Sequence, residues 1–276
     1  MNNTGSPGAK NGRMPVFFIP HGAGPCFFMD WNPADTWDNM AGFLKQIEST
    51  LPSRPSAIVL VSGHWLEPQF SLTGHARPSL IYDYYGFPSH TYEIAYPAPG
   101  DPALASQAAQ LLNEQGLQAR VDAGRGFDHG VFIPLKLVFP SADIPVVQLS
   151  LRQDMDPAAH LAAGQALATL RDQNVLILGS GMSFHNMRGY GDPRYTPVSA
   201  EFDEWLTTAV ESPPEQRTAL LQDWTQAPYA RHCHPPGGEE HLIPLLVAAG
   251  AADSSPGRKV YSEVIMKTTL SAFQFG

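Results

Sequence analysis

Residues 57–65 read AIVLVSGHW, an unbroken apolar run rich in β-branched residues that stops at Gly63 and is followed at once by His64. A strand with one face in water alternates polar and apolar residues. A strand covered on both faces reads as a continuous apolar run, as in parallel sheets. Residues 16–19 (VFFI, ending at Pro20), 146–151 (VVQLSL) and 175–178 (VLIL) are of the same kind. Helical patterns lie between them. Asn32-Pro33 reads as an N-cap and first helical position, predicting a helix to about residue 49. Asp101-Pro102 predicts a second helix to about residue 114, and Asp156-Pro157 a third to about residue 173. Segments near 198–211 and 239–249 are also helical in pattern. Strand–helix alternation predicts a single α/β domain with a central, mainly parallel or mixed sheet flanked by helices. The Pro-, Gly- and Tyr-rich stretch 66–100 reads as a long excursion over one face of the sheet, and 234–238 as a similar loop.

Composition narrows the function classes. The chain has 276 residues, 43% hydrophobic and 16% charged, with a formal net charge of −9. That length and apolar content suit a globular domain with a full core. The negative balance argues against nucleic acid or an anionic membrane as partner, since both need clustered Lys and Arg. The two cysteines, Cys26 and Cys233, can build neither a disulfide scaffold nor a four-Cys zinc site. Residues 1–13 (MNNTGSPGAKNGR) have no apolar stretch and read as a flexible leader. With no secretory signal and no run of about 20 apolar residues, the expected location is the cytoplasm.

The histidines carry the most information. His21 follows the first apolar run, His64 the second, and His185 the run 175–178, in GSGMSFHN. His129 lies in GFDHG, read as a turn, and His241 opens an apolar helical segment. In open α/β sheets, ligands bind outside the carboxyl ends of strands, so His21, His64 and His185 converge on one rim. The glycines beside each allow tight turns there. His75, His90 and His160 read as solvated or hydrogen-bonded residues. Neutral imidazoles suit Zn, Fe, Ni and Cu rather than Mg or Ca. In RHCHPPGG, His232, Cys233 and His234 point in divergent directions and cannot all ligate one ion. GSGMS has Gly181 where a nucleophile elbow needs Ser, and neither a phosphate-binding GxxxxGK[ST] loop nor HExxH is present.

Seven segments, in this order, resemble the class III extradiol ring-cleavage dioxygenases of the LigB superfamily, nearest to the 4,5-DOPA extradiol dioxygenase branch. They are HGAGP (21–25), SGHW (62–65), FPSHTYEIAYPAPG (87–100), GFDHG (126–130), PSADIPVVQLS (140–150), GSGMSFHN (179–186) and EHLIPLLVAAGA (240–251). Ala23-Gly24 departs from the commoner Ser-Pro. The resemblance extends over residues 14–276 and implies one catalytic domain there. It implies a mononuclear non-haem Fe(II) held by His21, His64 and His241, with zinc as the other ion such a site accepts. Many relatives use a carboxylate as third ligand, and Glu239 and Glu240 adjoin His241. Successive helical residues point about 100° apart, so only one of Glu240 and His241 faces the ion, and His241 is favoured. Glu239 and Glu240 then read as first-turn carboxylates at the positive end of a helix. By the same resemblance His185 is the acid–base residue, and His129 orients substrate or oxygen. The implied partners are O2 and a catechol-type (3,4-dihydroxyphenyl) substrate, bounded by residues 82–97 and the loop before His241. No organic cofactor is implied, and a homo-oligomer is left open. Two other readings stand beside this one: a zinc-dependent hydrolase using an activated water, and a non-catalytic binding protein on the same fold.

Overall fold

The apolar runs become the middle of an eight-stranded sheet in the structure, a computed structural model that describes residues 12–276. In chain order the strands are β1 (Val16–Pro20), β2 (Ala57–Glu67), β3 (Phe70–Thr73), β4 (Ala119–Asp122), β5 (Val146–Arg152), β6 (Val175–Gly181), β7 (Gly257–Ile265) and β8 (Thr268–Phe275). Their spatial order is β4-β3-β5-β2-β6-β1-β8-β7. The four strands read from the sequence, β5, β2, β6 and β1, are adjacent and mutually parallel. The apolar residues of the runs read from the sequence are buried, as runs covered on both faces require. β8 and β7 add an antiparallel hairpin beside β1. β3 meets β5 antiparallel and carries β4 parallel to itself, so the sheet is mixed.

The helices are α1 (Asp38–Thr50), α2 (Pro102–Glu114), α3 (His129–Val138), α4 (Pro157–Leu167), α5 (Tyr195–Glu211), α6 (Pro214–Gln222), α7 (Ala230–Cys233) and α8 (Ile243–Ala251). Asp101 and Asp156 cap α2 and α4 through their carboxylates, with Pro at the first turn, as read from the sequence. Two expected starts move. Asn32-Pro33 does not open α1: the Pro33 carbonyl accepts from the amide and hydroxyl of Thr36, closing a turn. The helix begins only after Trp37, which is buried edge-on against Phe27 and Trp31. Likewise α8 begins at Ile243, because residues 239–242 form a turn closed by the Leu242 amide on the Glu239 carbonyl at 2.9 Å. Glu239 and Glu240 therefore precede the helix rather than occupying its first turn. Residues 1–11 of the expected leader lie outside the described residues. Arg13 donates to the Ala168 carbonyl and pairs with Asp172 and Asp253. No helix among the described residues is long and apolar enough to cross a membrane.

His160 lies buried in α4, its Nδ1 2.7 Å from the Asp156 carbonyl and its Nε2 accepting from the Arg152 amide at 3.0 Å. Burial pushes its pKa down to about 4. The unfolded chain takes up a proton near pH 6.5, where the folded one does not. The stability held by neutral His160 is thus complete above that pH and is lost between about 6.5 and 4. Urea titrations at pH 7 and pH 5 should show a smaller acid loss in His160→Gln, by about 1–2 kcal/mol. Equal losses would mean that His160 is protonated in the fold.

Candidate metal centre and active site

Three neighbouring strands, β2, β6 and β1, supply the floor of the site at their carboxyl ends. His21 directly follows β1, and its amide donates to the Gly181 carbonyl at the end of β6. His64 does not follow a strand end as expected. β2 continues to Glu67, and its pairing with β5 slips between Val61 and Leu66. That irregularity lies at Ser62-Gly63-His64-Trp65, where a bulge can re-aim a side chain. His185 lies in the loop after β6. His129 is the first residue of α3 rather than part of a free turn, with Asp128 at the capping position. His241 sits in the turn before α8.

Close backbone contact holds that turn. The His241 carbonyl accepts from the Met182 amide at 2.9 Å, and a Cβ on Gly181 would come within 2.0 Å of the same oxygen. Only glycine lets the turn lie on the end of β6. Gly181→Ala should displace His241 and cost about 10²-fold in turnover, the usual effect of a misplacement near 1 Å. Metal content and kcat, measured together, test this; wild-type values for both would show that the turn is not pinned there.

Hydrogen bonds determine which ring nitrogen faces the cavity. Ser180 Oγ donates its one hydrogen to the Gly130 carbonyl at 2.5 Å. It can therefore only accept from His21 Nδ1, 3.1 Å away, which leaves His21 Nε2 with a free lone pair. His241 Nδ1 donates to Glu240 Oε1 at 2.9 Å, with the same result. His64 Nε2 lies 3.2 Å from His21 Nε2, the spacing of two nitrogens that share one ion at about 2.1 Å. The His241 ring centroid is 5.1 Å from that of His21 and 4.8 Å from that of His64. His129 is also close: its centroid is 4.0 Å from that of His64, and its Nδ1 and amide both donate to Asp83 Oδ1, at 2.8 and 3.0 Å. His185 stacks on His241 with centroids 3.4 Å apart, its Nδ1 3.6 Å from Glu240 Oε1. Among the described residues, two sets of donor atoms lie close enough together to hold a metal ion, His21-His64-His129 and His185-Glu240-His241, and the expected set His21-His64-His241 is divided between them.

Burial dominates the electrostatics. It drives the pKa values of His21, His64 and His241 down, and the neighbouring imidazoles push the same way, so all three are neutral donors. Burial also lowers His185, to about 4. It raises Glu240 and Asp128. Burial would raise Asp83 too, but the hydrogen bond and charge of His129 outweigh it and hold the carboxyl below its usual range. Asp128 is fully buried, accepting from Ser62 Oγ at 2.7 Å, from Gln148 and from Arg125. Ser62 Oγ in turn accepts from the His64 amide, so Asp128 braces the bulge.

The five histidines open onto a cavity of about 370 Å3, walled by Trp31, Trp37, Tyr84, Phe87 and Met182. Tyr84 and Phe87 come from the excursion expected to bound the substrate. The RHCH string plays a different part. Cys233 is buried, its carbonyl accepts from the His185 amide, the His232 carbonyl accepts from Asn186, and His234 bonds the Ser183 carbonyl. It backs the His185 loop from behind. Asp83 has no motif around it, and Ser180, although inside GSGMSFHN, carries no local sign of its bond to His21; sequence reasoning passed both over.

Comparison with known proteins agrees with this architecture. Residues 15–274 match the family described as the catalytic LigB subunit of aromatic ring-opening dioxygenase. The chain is 39% identical to dioxygenase tasH of Hapsidospora irregularis, over 97% of this chain and 87% of that protein. It is 36% identical to the 4,5-DOPA dioxygenase extradiol of Beta vulgaris, over 89% of each chain. With the protein of the same name from Escherichia coli K12 it shares 34%, over 94% and 93%. A crystal structure of an uncharacterized E. coli K12 protein superposes with a TM-score of 0.76 at 29% identity, covering 96% of this chain and 100% of that one. The ordered motifs, the mixed sheet with its histidine-lined rim and the whole-length match lead to one conclusion: this chain belongs to the LigB family and is an extradiol, ring-cleaving dioxygenase.

Proposed function

We propose that the protein binds Fe(II) through His21, His64 and His241 and cleaves the ring of a catechol-type substrate with incorporation of both atoms of O2. The observation that carries this reading is the pair of Nδ1 anchors, Ser180 on His21 and Glu240 on His241. They turn two neutral Nε2 lone pairs toward the cavity beside His64. Glu240 supports His241 from behind in this assignment and is not itself a ligand. When bound, Fe(II) supplies a redox-active centre at which catechol and O2 meet.

The chain's own groups do the rest. His185, with Nδ1 toward Glu240, uses Nε2 to take the proton of a substrate hydroxyl and later to return one; burial lowers its pKa, so it begins neutral. His129, held through Nδ1 by Asp83, offers Nε2 to orient substrate or oxygen. Trp31, Tyr84 and Phe87 keep the ring in a water-poor space.

Anaerobic loading with Fe(II), followed by a catechol panel in an oxygen electrode, tests the proposal. One O2 should be consumed per ring opened, and the Zn(II)-loaded protein should consume none. Hydrolysis by the zinc form, with no oxygen uptake by the iron form, would overturn it in favour of a hydrolase.

A further inference from the structure

The side chains around the cavity carry almost no polarity besides the five imidazoles. Among the described residues that line it there is no Lys, Arg, Asp or Glu. Its charged neighbours lie behind the imidazoles and are carboxylates: Asp83 behind His129, and Glu240 behind His241. Arg125 is turned away onto Asp128 and the Trp65 ring. At the opening, two methionines from separate loops flank the cavity. Met187 follows His185 and is 73% exposed, and Met266, in the β7–β8 turn, is 41% exposed. Their flexible, polarizable side chains suit an apolar ligand of variable shape. Past Trp31 and Met266 lies a neighbouring depression where the one lining cation, Lys267, is outnumbered by Asp35 and Glu263, and the exposed Arg188, next to Met187, is not among the residues that line the cavity.

A substrate carboxylate held inside this cavity, with the catechol oxygens taking the metal's charge, would thus find no side-chain cation in the lining and face carboxylate-backed rings. Burying an unpaired charge is strongly unfavourable. We infer that the ring substituent this site accepts is uncharged and apolar, an alkyl or aryl group on the catechol held inside the opening that Met187 and Met266 flank, and not an amino-acid or carboxylate chain. The inference rests on the ring-cleavage reading above.

The Fe(II)-loaded protein should be compared on 4-propylcatechol, 3-(3,4-dihydroxyphenyl)propanoate, DOPA and dopamine, which present the same ring with different charge. Expected is a kcat/KM for 4-propylcatechol about 10²-fold above that for the propanoate, carried mainly by KM. Met187→Arg should narrow that ratio at least tenfold by giving the carboxylate a partner. Equal or better use of a charged catechol by the wild type would overturn the inference and leave ring cleavage standing. An unchanged ratio in Met187→Arg would remove Met187 from the substituent's path and overturn the inference as drawn. No oxygen uptake with any of the four would overturn the ring-cleavage reading itself.

Discussion

His64→Ala protein, offered Fe(II) without oxygen, should fail to hold a stoichiometric ion, and its oxygen uptake with any catechol should fall to background. His64 Nε2 lies 3.2 Å from His21 Nε2, so its removal strips a donor from the centre of the cluster and leaves no neighbour in the same position. His21→Ala and His241→Ala should behave alike. The informative contrast is His129→Ala, because the His129 ring stands nearer to His64, at 4.0 Å, than the His241 ring does, at 4.8 Å. Bound to Asp83 and assigned to the substrate, it should be dispensable for metal and costly for turnover. Metal retained in His241→Ala but lost in His129→Ala would transfer the third ligand to His129. Glu240→Gln should fall between these, weakening metal affinity by about 10–100-fold, since an amide oxygen can still accept from His241 Nδ1 but carries no charge.

Loss of His185 should leave the metal in place and remove about 10²–10⁴ in kcat, the usual contribution of a positioned acid–base group. Because its ring stacks on His241 at 3.4 Å, an alanine there also loosens a neighbour. His185→Phe keeps a ring on His241 and lacks the nitrogen. Comparing the two separates proton transfer from packing. Metal content by elemental analysis and kcat with 4-propylcatechol are the readouts, and turnover undiminished in His185→Phe would take His185 out of the reaction.

What could be read in advance was what burial writes into a short run of residues. β1, β2, β5 and β6 are covered on both faces, so each carries a largely apolar run, and the histidines that follow the runs of β1, β2 and β6 stand out. The elements that escaped notice depend on partners far along the chain. α3 is buried on all sides except at Lys136 and contains Pro134, so it has neither an amphipathic period nor an uninterrupted pattern. The β7–β8 hairpin turns through Met266 and Lys267, both at positive φ, without the Asn-Gly pair that announces such turns. The length of β2 beyond Ser62 is decided by its pairing with β5. Asp83 matters only because the fold brings it to His129, and nothing local to Tyr82-Asp83-Tyr84 records that contact.

The proposed donors His21, His64 and His241 come from nearly opposite ends of the chain and meet only across the finished β2-β6-β1 centre of the sheet. No early fragment contains more than two of them, so the ion cannot template folding and must enter a molecule whose long-range pairings are already made. Binding the native state alone, it then draws the folding equilibrium toward that state by mass action, by about 2.7 kcal/mol when free metal stands a hundredfold above its dissociation constant. A chelator should accordingly lower Tm while leaving the far-ultraviolet spectrum unchanged below the transition. The metal occupancy of a freshly made preparation then sets a lower bound on the fraction of chains that have completed the β2-β6-β1 centre of the sheet.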